Sequence, residues 1–384
     1  MVNHTSVVSG AERALLDLLD ALPAGVDAVV QCPPGALAEH VRRRGVPWVT
    51  VPALSATLKL DPQRLLRVPA ELAAGALAVR RAARQAGADV VHANSTRAGL
   101  LAVGARLLGG PPVVVTVHDR VQSSGPTRVV GRILQRGAAA LIAISGAVRD
   151  DLTRLGPGPP VHVLYNPIDL DRFDSARTTP EEARRQLGLD LDAPVLALVG
   201  QITPWKGQEE AIRALASVRE RGFDARLLLV GEVKFARRET TFDNVTYERS
   251  LRRLITTLGL RDDVRWCGER ENVPVILQAV DVALVPSWDE PLGRSVLEAM
   301  AAGRAVVATS VGGPAEVVDH DVTGVLVAPR QPGRWAEAIA GLLADPERRA
   351  RLGERARVQA QEFDRATYAR RVLDVYTTAT SAAA

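Results

Sequence analysis

Two carboxylates, Glu290 and Glu298, stand eight positions apart just past a short apolar run, Val282 to Val285. Pro291 and Gly293 suit a tight entry into a helix whose first residues, Gly293 and Arg294, can offer free backbone N–H groups. Eight residues is a little over two helical turns, so the two side chains are expected on roughly one side, about 12 Å apart along the axis. Carboxylates that each accept a pair of hydroxyl hydrogens suit the recognition of sugar and ribose rings. Bare spacing is a weak signal, because such pairs arise by chance in any Glu-rich helix. The placement after a strand pattern, framed as Ser-x-x-Glu-Pro-x-Gly, makes it strong.

A second candidate lies upstream, where Val195 to Val199 runs into Gly200-Gln201-Ile202-Thr203-Pro204-Trp205-Lys206-Gly207 and a helix pattern starts near Gln208. A strand-to-helix loop presents backbone N–H groups and the positive end of the helix dipole, a place for an anion. Lys206 adds a mobile positive charge suited to a diphosphate that becomes more negative as its bond to a sugar breaks. Lys206 also reads as a plain surface lysine, but the only other lysines are Lys59 and Lys234, every other basic residue being Arg.

The elements that must position these groups read as two similar α/β units. Short apolar, β-branched runs alternate with helical stretches, as a buried parallel sheet with crossover helices requires. In the first half the runs are Ala28 to Gln31, Trp48 to Val51, Asp89 to Ala93, Val113 to Val117, Ala140 to Ile144 and Val161 to Leu164. The clearest helices there are Glu12 to Ala21 and Leu65 to Gln85. The second half has Val195 to Val199, Arg226 to Val230, Val264 to Trp266, Val282 to Val285, Ala305 to Ala308 and Val325 to Val327. A polar stretch after Asn166-Pro167, continuing from Asp174 to Pro180, reads as the linker. From Trp335 to Tyr376 the chain is helical and Arg-rich, long enough to cross back onto the first domain. Only Met1 to His4 precedes the turn residues Thr5 to Gly10, so the opening strand is either very short or begins upstream of the sequence given, the latter being favoured.

At 384 residues, with 47% hydrophobic and 24% charged residues, the chain is expected to hold two soluble domains. Its net charge is +4, but the basic residues are spread over both halves, which argues against a nucleic-acid partner. Arg42, Arg43 and Arg44 and the pair Arg80 and Arg81 read as solvated helix faces, with a membrane surface or an anionic acceptor as the other reading. Cys32 and Cys267 belong to no ligand cluster and read as buried thiols of a reducing cytosol. No apolar run reaches membrane-spanning length and no export signal is seen, so the expected location is cytoplasmic, with at most peripheral contact at the inner face of a membrane. Asp169-Leu170-Asp171 and Asp190-Leu191-Asp192 spell Asp-x-Asp but read as turn and cap residues, so no metal is expected.

In the first half, His118 ends the Val113 to Val117 run, at the strand edge where sites collect. Asn94, Ser95 and Arg97 follow another strand and are candidates for an acceptor side. His92 reads either as part of that side or as a satisfied core histidine.

Taken together these residues resemble the retaining glycosyltransferases of family four. The motifs are Gly-x-x-x-x-x-Lys-Gly at Gly200 to Gly207 and Glu-Pro-Leu-Gly-Arg-Ser-Val-Leu-Glu-Ala-Met-Ala-Ala-Gly from Glu290. Further similarities are Val117-His118-Asp119, Ser145 within Ala143 to Val148, Asn166 within Tyr165 to Asp169, Glu232 within Leu229 to Glu232, and Gly10 within Ser9 to Glu12, which is similar to the family's first glycine loop. The resemblance covers nearly the whole chain and is most specific in the second half.

The resemblance implies a GT-B fold, two doubly wound Rossmann-like domains facing a central cleft that closes by a hinge. Residues 1–170 would bind the acceptor, with helix 362–378 packing back on them, and residues 180–361 would bind a nucleotide-diphosphate sugar, a UDP- or GDP-sugar, with no cofactor. Lys206 would hold the diphosphate, Glu290 the sugar hydroxyls with backbone at Leu292 and Gly293, and Glu298 the ribose. Gly10, Gly200, Gln201, Glu232, Arg294 and Ser295 would complete the donor side. His118, Lys206 and Glu290 would be the catalytic group, and Asn94, Ser95, Arg97, Ser145 and Asn166 the acceptor side. The family usually has Arg where this chain has Gln201, which shifts phosphate neutralisation toward Lys206 and the helix end. The implied reaction is transfer of a hexose or amino-hexose, with retention, to a hydroxyl of a glycan, a lipid-linked glycan or a natural product. A sugar-nucleotide epimerase of similar architecture and a non-enzymatic sugar-binding protein are the rival readings. Lys206→Ala and Glu298→Ala are expected to abolish transfer with little effect on folding.

Overall fold

The computed structural model describes residues 1–52, 68–122, 124–174, 177–234 and 242–381. Its contacts divide the chain into two units, Met1–Ile168 with Arg365–Ala384 and Asp169–Asp364.

Unit 1 comprises α1 (Gly10–Ala21), β1 (Val30–Cys32), α2 (Ala36–Arg43), β2 (Trp48–Thr50), α3 (Val68–Gln85), β3 (Val91–Ala93), α4 (Thr96–Leu107), β4 (Val113–Val117), α5 (Gly125–Gly137), β5 (Ala140–Ala143), α6 (Gly146–Thr153) and β6 (Val161–Val163). Strands β3 to β6 pair in sequence order and all in parallel, and β1 pairs with β2. Residues 1–3 occupy the slot between β1 and β3, where Val2 N–H donates to His92 O at 2.7 Å and Asn3 N–H to Gln31 O at 2.8 Å. The short opening segment is thus a paired part of the sheet. The sequence-predicted start of the second helix, at 65–67, lies outside the described residues, as do part of the expected linker at 175–176 and residues 382–384.

Unit 2 comprises α7 (Pro180–Leu187), β7 (Val195–Val199), α8 (Gln208–Glu220), β8 (Arg226–Val230), α9 (Asn244–Thr257), β9 (Val264–Gly268), α10 (Val273–Ala279), β10 (Val282–Val285), α11 (Arg294–Ala301), β11 (Ala305–Thr309), α12 (Pro314–Val317), β12 (Val325–Val327), α13 (Pro332–Ala344) and α14 (Pro346–Gln359). A last helix, α15 (Arg365–Ser381), belongs to unit 1. Local chemistry sets the ends of these elements. Helix α7, for example, opens on a Thr179–Glu182 capping box with Pro180 in its first turn and stops at Gly188 in the left-handed region. Along α8, Ala211, Ile212, Leu215 and Val218 recur at helical spacing and are buried against the sheet, while Glu209 and Glu210 stand in the first turn, where they complement the dipole.

The sheet of unit 2 is wholly parallel, in the order β12-β11-β10-β7-β8-β9. The winding direction reverses between β7 and β10, which are direct neighbours. In open α/β sheets the crevice beyond the carboxyl ends of the strands at such a reversal is where ligands bind. The Lys206 loop leaves β7 and the Glu290 loop leaves β10.

Candidate functional site

The two loops meet. Lys206 Nζ lies 2.6 Å from Glu290 Oε2, and the same oxygen accepts from Ser287 Oγ at 2.7 Å. The pair is largely shielded, with 15% of the lysine side chain and 5% of the glutamate side chain accessible. Among the described residues, Glu290 Oε1 makes no hydrogen bond, so one carboxylate oxygen is engaged by the protein and the other is available to a ligand. Lys206 also rests its ammonium 4.3 Å from the centre of the Trp205 ring, and the loops are tied by Trp288 N–H donating to Trp205 O at 2.8 Å.

Two glycines make this close approach possible. Gly207, which caps α8, has φ +75°, and a Cβ there would sit 2.1 Å from Pro286 O. Gly312 has φ +66°, and its Cβ would sit 2.1 Å from Glu290 O. Each combines a left-handed backbone with contact against another loop, a combination open only to glycine. Gly313 N–H donates to Glu290 O at 2.9 Å, so the glutamate is held by its backbone as well as its carboxylate.

Glu290 precedes α11 and is not part of it, since the helix begins at Arg294 with Gly293 as its cap at φ +83°. The helical spacing expected between Glu290 and Glu298 therefore does not apply: the chain turns sharply at Pro291 to Gly293 before the helix starts. Glu298 sits on α11 with Oε1 3.4 Å from Arg294 Nε, both side chains nearly buried. Leu292 is buried, Ser295 half-buried, and Gly200 lies beneath the Lys206 stem, its virtual Cβ 3.6 Å from Lys206 Cδ. Gln201 contributes its carbonyl to Gln208 Nε2 at 2.8 Å. Glu232 is exposed just past β8; its carbonyl accepts from Ile202 N–H at 2.9 Å, and its side chain joins none of the bonds around Lys206 and Glu290.

In unit 1 a polar group gathers at the carboxyl ends of β3 and β4. Asn94 Nδ2 donates to Asn3 Oδ1 at 3.2 Å and to Ala11 O at 3.1 Å, which fixes the amide. Its Oδ1 faces His118 Nε2 at 3.2 Å, so Nε2 carries a hydrogen. His4 bridges Ser95 Oγ, 2.8 Å from Nδ1, and Arg97 Nη1, 3.3 Å from Nε2. A guanidinium only donates, so Nε2 accepts and Nδ1–H donates to Ser95 Oγ. Burial first and the Arg97 charge second lower the His4 pKa to about 4, which keeps the His4 ring neutral.

The remaining residues singled out in the first half take these places in unit 1. Ser145 is buried and caps α6, its Oγ accepting from Val148 N–H at 3.2 Å. His92 is a satisfied core histidine, with Tyr376 OH 2.5 Å from Nδ1 and Thr116 Oγ1 2.7 Å from Nε2. Asn166 is buried where the chain leaves unit 1, and Gly10 is exposed at the start of α1. Ser9 and Glu12, beside Gly10, form a capping box that also holds Asn3 Nδ2 at 3.1 Å from Glu12 Oε1. Sequence reasoning missed Asn3 and His4, because nothing in a four-residue opening segment shows that it lies between two strands. Ser287 was visible in the Ser-x-x-Glu frame, but its bond to Glu290 was not.

Neither Asp-x-Asp shows metal-ligand geometry. Asp169 caps a short 3-10 turn at Leu170–Phe173, and Asp190 Oδ1 accepts from Asp192 N–H at 2.9 Å. Among the described residues, no group of three His, Cys, Asp or Glu side chains is placed to hold a metal ion.

Comparison with known proteins identifies the family. Residues 8–172 match the family described as Glycosyltransferase Family 4, and residues 180–359 match Glycosyl transferases group 1. The chain is 33% identical over 313 residues to a D-inositol 3-phosphate glycosyltransferase of Corynebacterium aurimucosum, covering 76% of this chain and 72% of that protein. It is 34% identical over 315 residues to an alpha-maltose-1-phosphate synthase of Mycolicibacterium smegmatis, covering 75% and 79%. Among solved structures, Anabaena HepE in complex with UDP-glucose superposes with a TM-score of 0.82 at 25% identity, over 98% of both chains. The chain belongs to glycosyltransferase family 4, with the GT-B fold, and is a glycosyltransferase.

Proposed function

We propose that this enzyme moves a hexose or amino-hexose from a nucleotide-diphosphate sugar to a hydroxyl acceptor with retention at the anomeric carbon, in the cytoplasm and without a metal. The observation that carries the reading is the Lys206–Glu290 contact across the two switch-point loops, because it joins a cation for a diphosphate to a carboxylate with one oxygen open to sugar hydroxyls. The relative HepE is seen in complex with UDP-glucose, which makes UDP-glucose the first donor to test. The cytoplasmic reading is favoured by two free cysteines, one buried and one half-buried.

In the proposed reaction the bond between the anomeric carbon and the diphosphate oxygen breaks, and negative charge gathers on the leaving phosphate. Lys206 and the start of α8 stabilise that charge. The acceptor oxygen attacks from the same face, and its proton passes to the departing phosphate oxygen. Glu290 orients the sugar by its hydroxyls, Glu298 holds the ribose, His118 faces the transferred sugar, and Asn94, Ser95 and Arg97 serve the acceptor side. Arrival of the diphosphate draws the Lys206 ammonium away from Glu290, freeing the second carboxylate oxygen for the sugar as the cation becomes occupied.

The test is calorimetric titration with UDP, GDP, TDP and ADP, followed by incubation of the matching sugar nucleotide without acceptor. Binding of one diphosphate, lost in Lys206→Ala, with slow release of free sugar of unchanged ring stereochemistry, is expected. Conversion of the sugar to an epimer while still attached to nucleotide would instead identify the epimerase reaction, and absence of diphosphate binding would remove the assignment.

A further inference from the structure

The arginine cluster that stands out in the sequence, Arg42 to Arg44, is engaged by two carboxylates in the fold. Arg42 and Arg43 pair with Glu39, and Arg44 pairs with Asp20 through Nε at 2.7 Å and Nη2 at 2.9 Å. The excess positive charge lies elsewhere in unit 1. Helices α3, α4 and α5 together hold eight arginines and one glutamate, a net charge of +7, against +4 for the whole chain, so the remainder of the chain is net negative.

Helix α5 concentrates this excess, since it has three arginines and no acidic residue. At about 100° per residue, Arg128, Val129, Arg132, Ile133 and Arg136 fall within an arc of roughly 140°. All five are exposed, whereas Gly131, Leu134 and Gln135 on the opposite arc are buried. The buried side is firmly seated: Leu134 packs where a Cβ on Gly99 would lie 2.7 Å away, and Gln135 Nε2 donates to Leu152 O at 2.7 Å. The outward face is therefore a fixed feature of the fold.

That face is apolar as well as basic. Val129 is 59% exposed and Ile133 42%, and Leu107, at the end of α4, is 80% exposed. Its neighbour Arg106 ties the two helix ends together by donating from Nη1 to Gly137 O at 3.0 Å. Among the described residues, Arg128, Arg132 and Arg136 form no ion pair with a carboxylate. Branched aliphatic side chains set between unpaired guanidinium groups match a partner that is negative at its surface and hydrocarbon beneath. Two copies of such a face repel each other, and a nucleic-acid strand has no use for the aliphatic pair and would favour aromatic stacking partners, which α5 lacks.

We propose that the exposed face of α5, with Leu107 beside it, docks unit 1 on an anionic phospholipid bilayer. The arginines engage lipid phosphates while Val129, Ile133 and Leu107 reach past the headgroups. The test is sedimentation of the full chain with vesicles of phosphatidylcholine alone or mixed in equal parts with phosphatidylglycerol. Binding to the mixed vesicles only is expected, weakening as sodium chloride is raised. Replacing Arg128, Arg132 and Arg136 together by Gln should lower the partition coefficient on the order of a hundredfold, about fivefold per arginine. Val129→Ser with Ile133→Ser should lower it roughly tenfold at unchanged charge. Replacing Arg42, Arg43 and Arg44 by Gln should leave it unchanged, and all variants should keep the wild-type melting temperature. Wild-type protein that stays in the supernatant with the mixed vesicles, binding that ignores salt, or equal loss in the Arg42 to Arg44 variant would each overturn the proposal.

Discussion

The chemistry proposed for this enzyme narrows to one ammonium and one carboxylate, and their mutual contact has two consequences. Lys206 is the only described cation bonded to Glu290, and both side chains are largely withdrawn from water. Removing Lys206 therefore takes charge from the proposed diphosphate site and leaves Glu290 buried with Ser287 as its remaining side-chain partner. Lys206→Ala is expected to lower kcat on the order of a hundred- to a thousandfold, the cost of losing one preorganised group at a developing anion. It should also lower stability by about 1–3 kcal/mol, much of which the double variant Lys206→Ala/Glu290→Ala should restore, since the uncompensated charge is then gone as well. Steady-state rates with denaturant titrations of the three variants check both effects; a stability loss in the double variant equal to the sum of the singles would show that the pair is not coupled. The expected stability loss is larger than the little effect on folding anticipated from the sequence. His92 supplies part of the pH dependence, beside His4, whose pKa is likewise lowered by burial. Burial is the largest cause holding its pKa at about 3, below the ordinary 6.5. Above 6.5 the ring is neutral in both folded and unfolded chains. As the pH falls below 6.5, only the unfolded chain takes up the proton, so stability drops by about 1.4 kcal/mol per pH unit until the pH nears 3. Comparing urea unfolding at neutral pH and near pH 5 should show a shallower pH slope in His92→Gln than in wild type; equal slopes would mean that His92 is not a titrating group.

At the level of elements, the site depends on how closely the β7 and β10 loops approach. Gly207 is the tightest point, with positive φ and no room for a Cβ beneath Pro286 O. Gly207→Ala must shift one loop, which pulls Lys206 from Glu290 at the same time. The expected result is a loss of diphosphate affinity of tenfold or more together with a stability loss of about 1–3 kcal/mol from backbone strain. Calorimetry with the nucleotide diphosphate and a melting curve would measure both, and wild-type affinity in a folded Gly207→Ala protein would show that loop spacing does not set the site. The same elements show what a sequence can reveal. Strands such as Val113–Val117, Val195–Val199, Arg226–Val230 and Val282–Val285 are legible to the residue because both faces are buried, leaving continuous aliphatic runs between turn formers. Edges shift where a strand is short or half-exposed: β1 runs Val30–Cys32 and not Ala28 to Gln31, and β9 extends to Gly268. The pairing of residues 1–3 was not legible, because a slot between two strands is a property of the sheet, not of three residues. The same reasoning covers the donor side. Lys206, Glu290 and Glu298 were marked by residue type and by their place after strands. The contact between Lys206 and Glu290, made across 84 positions, follows from β7 and β10 being neighbours, and strand order leaves no local trace.

On the scale of the whole chain, the division into units does not follow chain order. The polypeptide leaves unit 1 at Ile168, completes unit 2 by Asp364, and returns its last helix to unit 1. That helix, α15, places Tyr368, Ala369, Val372, Val375 and Ala379 in one core with Leu18, Val114, Ala140 and Ile142, and its Tyr376 hydroxyl is the partner of His92 Nδ1. Unit 2 has a separate core, which runs from Leu196 on β7 to Leu352 on α14 and draws nothing from α15. Cutting the chain after Asp364 should therefore damage the two units unequally. At about 1.5–3 kcal/mol for each large apolar side chain uncovered, unit 1 loses an amount comparable to the whole stability of an ordinary domain, which is about 5–15 kcal/mol. Unit 2 keeps every described side chain of its core and both loops of the proposed donor site. The truncated protein should lose transfer activity and the melting transition of unit 1, yet still bind the nucleotide diphosphate. Its surviving transition should be stabilised by about 2.7 kcal/mol when ligand is present at about a hundred times the dissociation constant. Differential scanning calorimetry with and without the diphosphate measures this directly. Disappearance of both transitions would mean that unit 2 does not stand without unit 1, and a folded unit 2 that no longer binds would move the donor site out of the β7 and β10 loops.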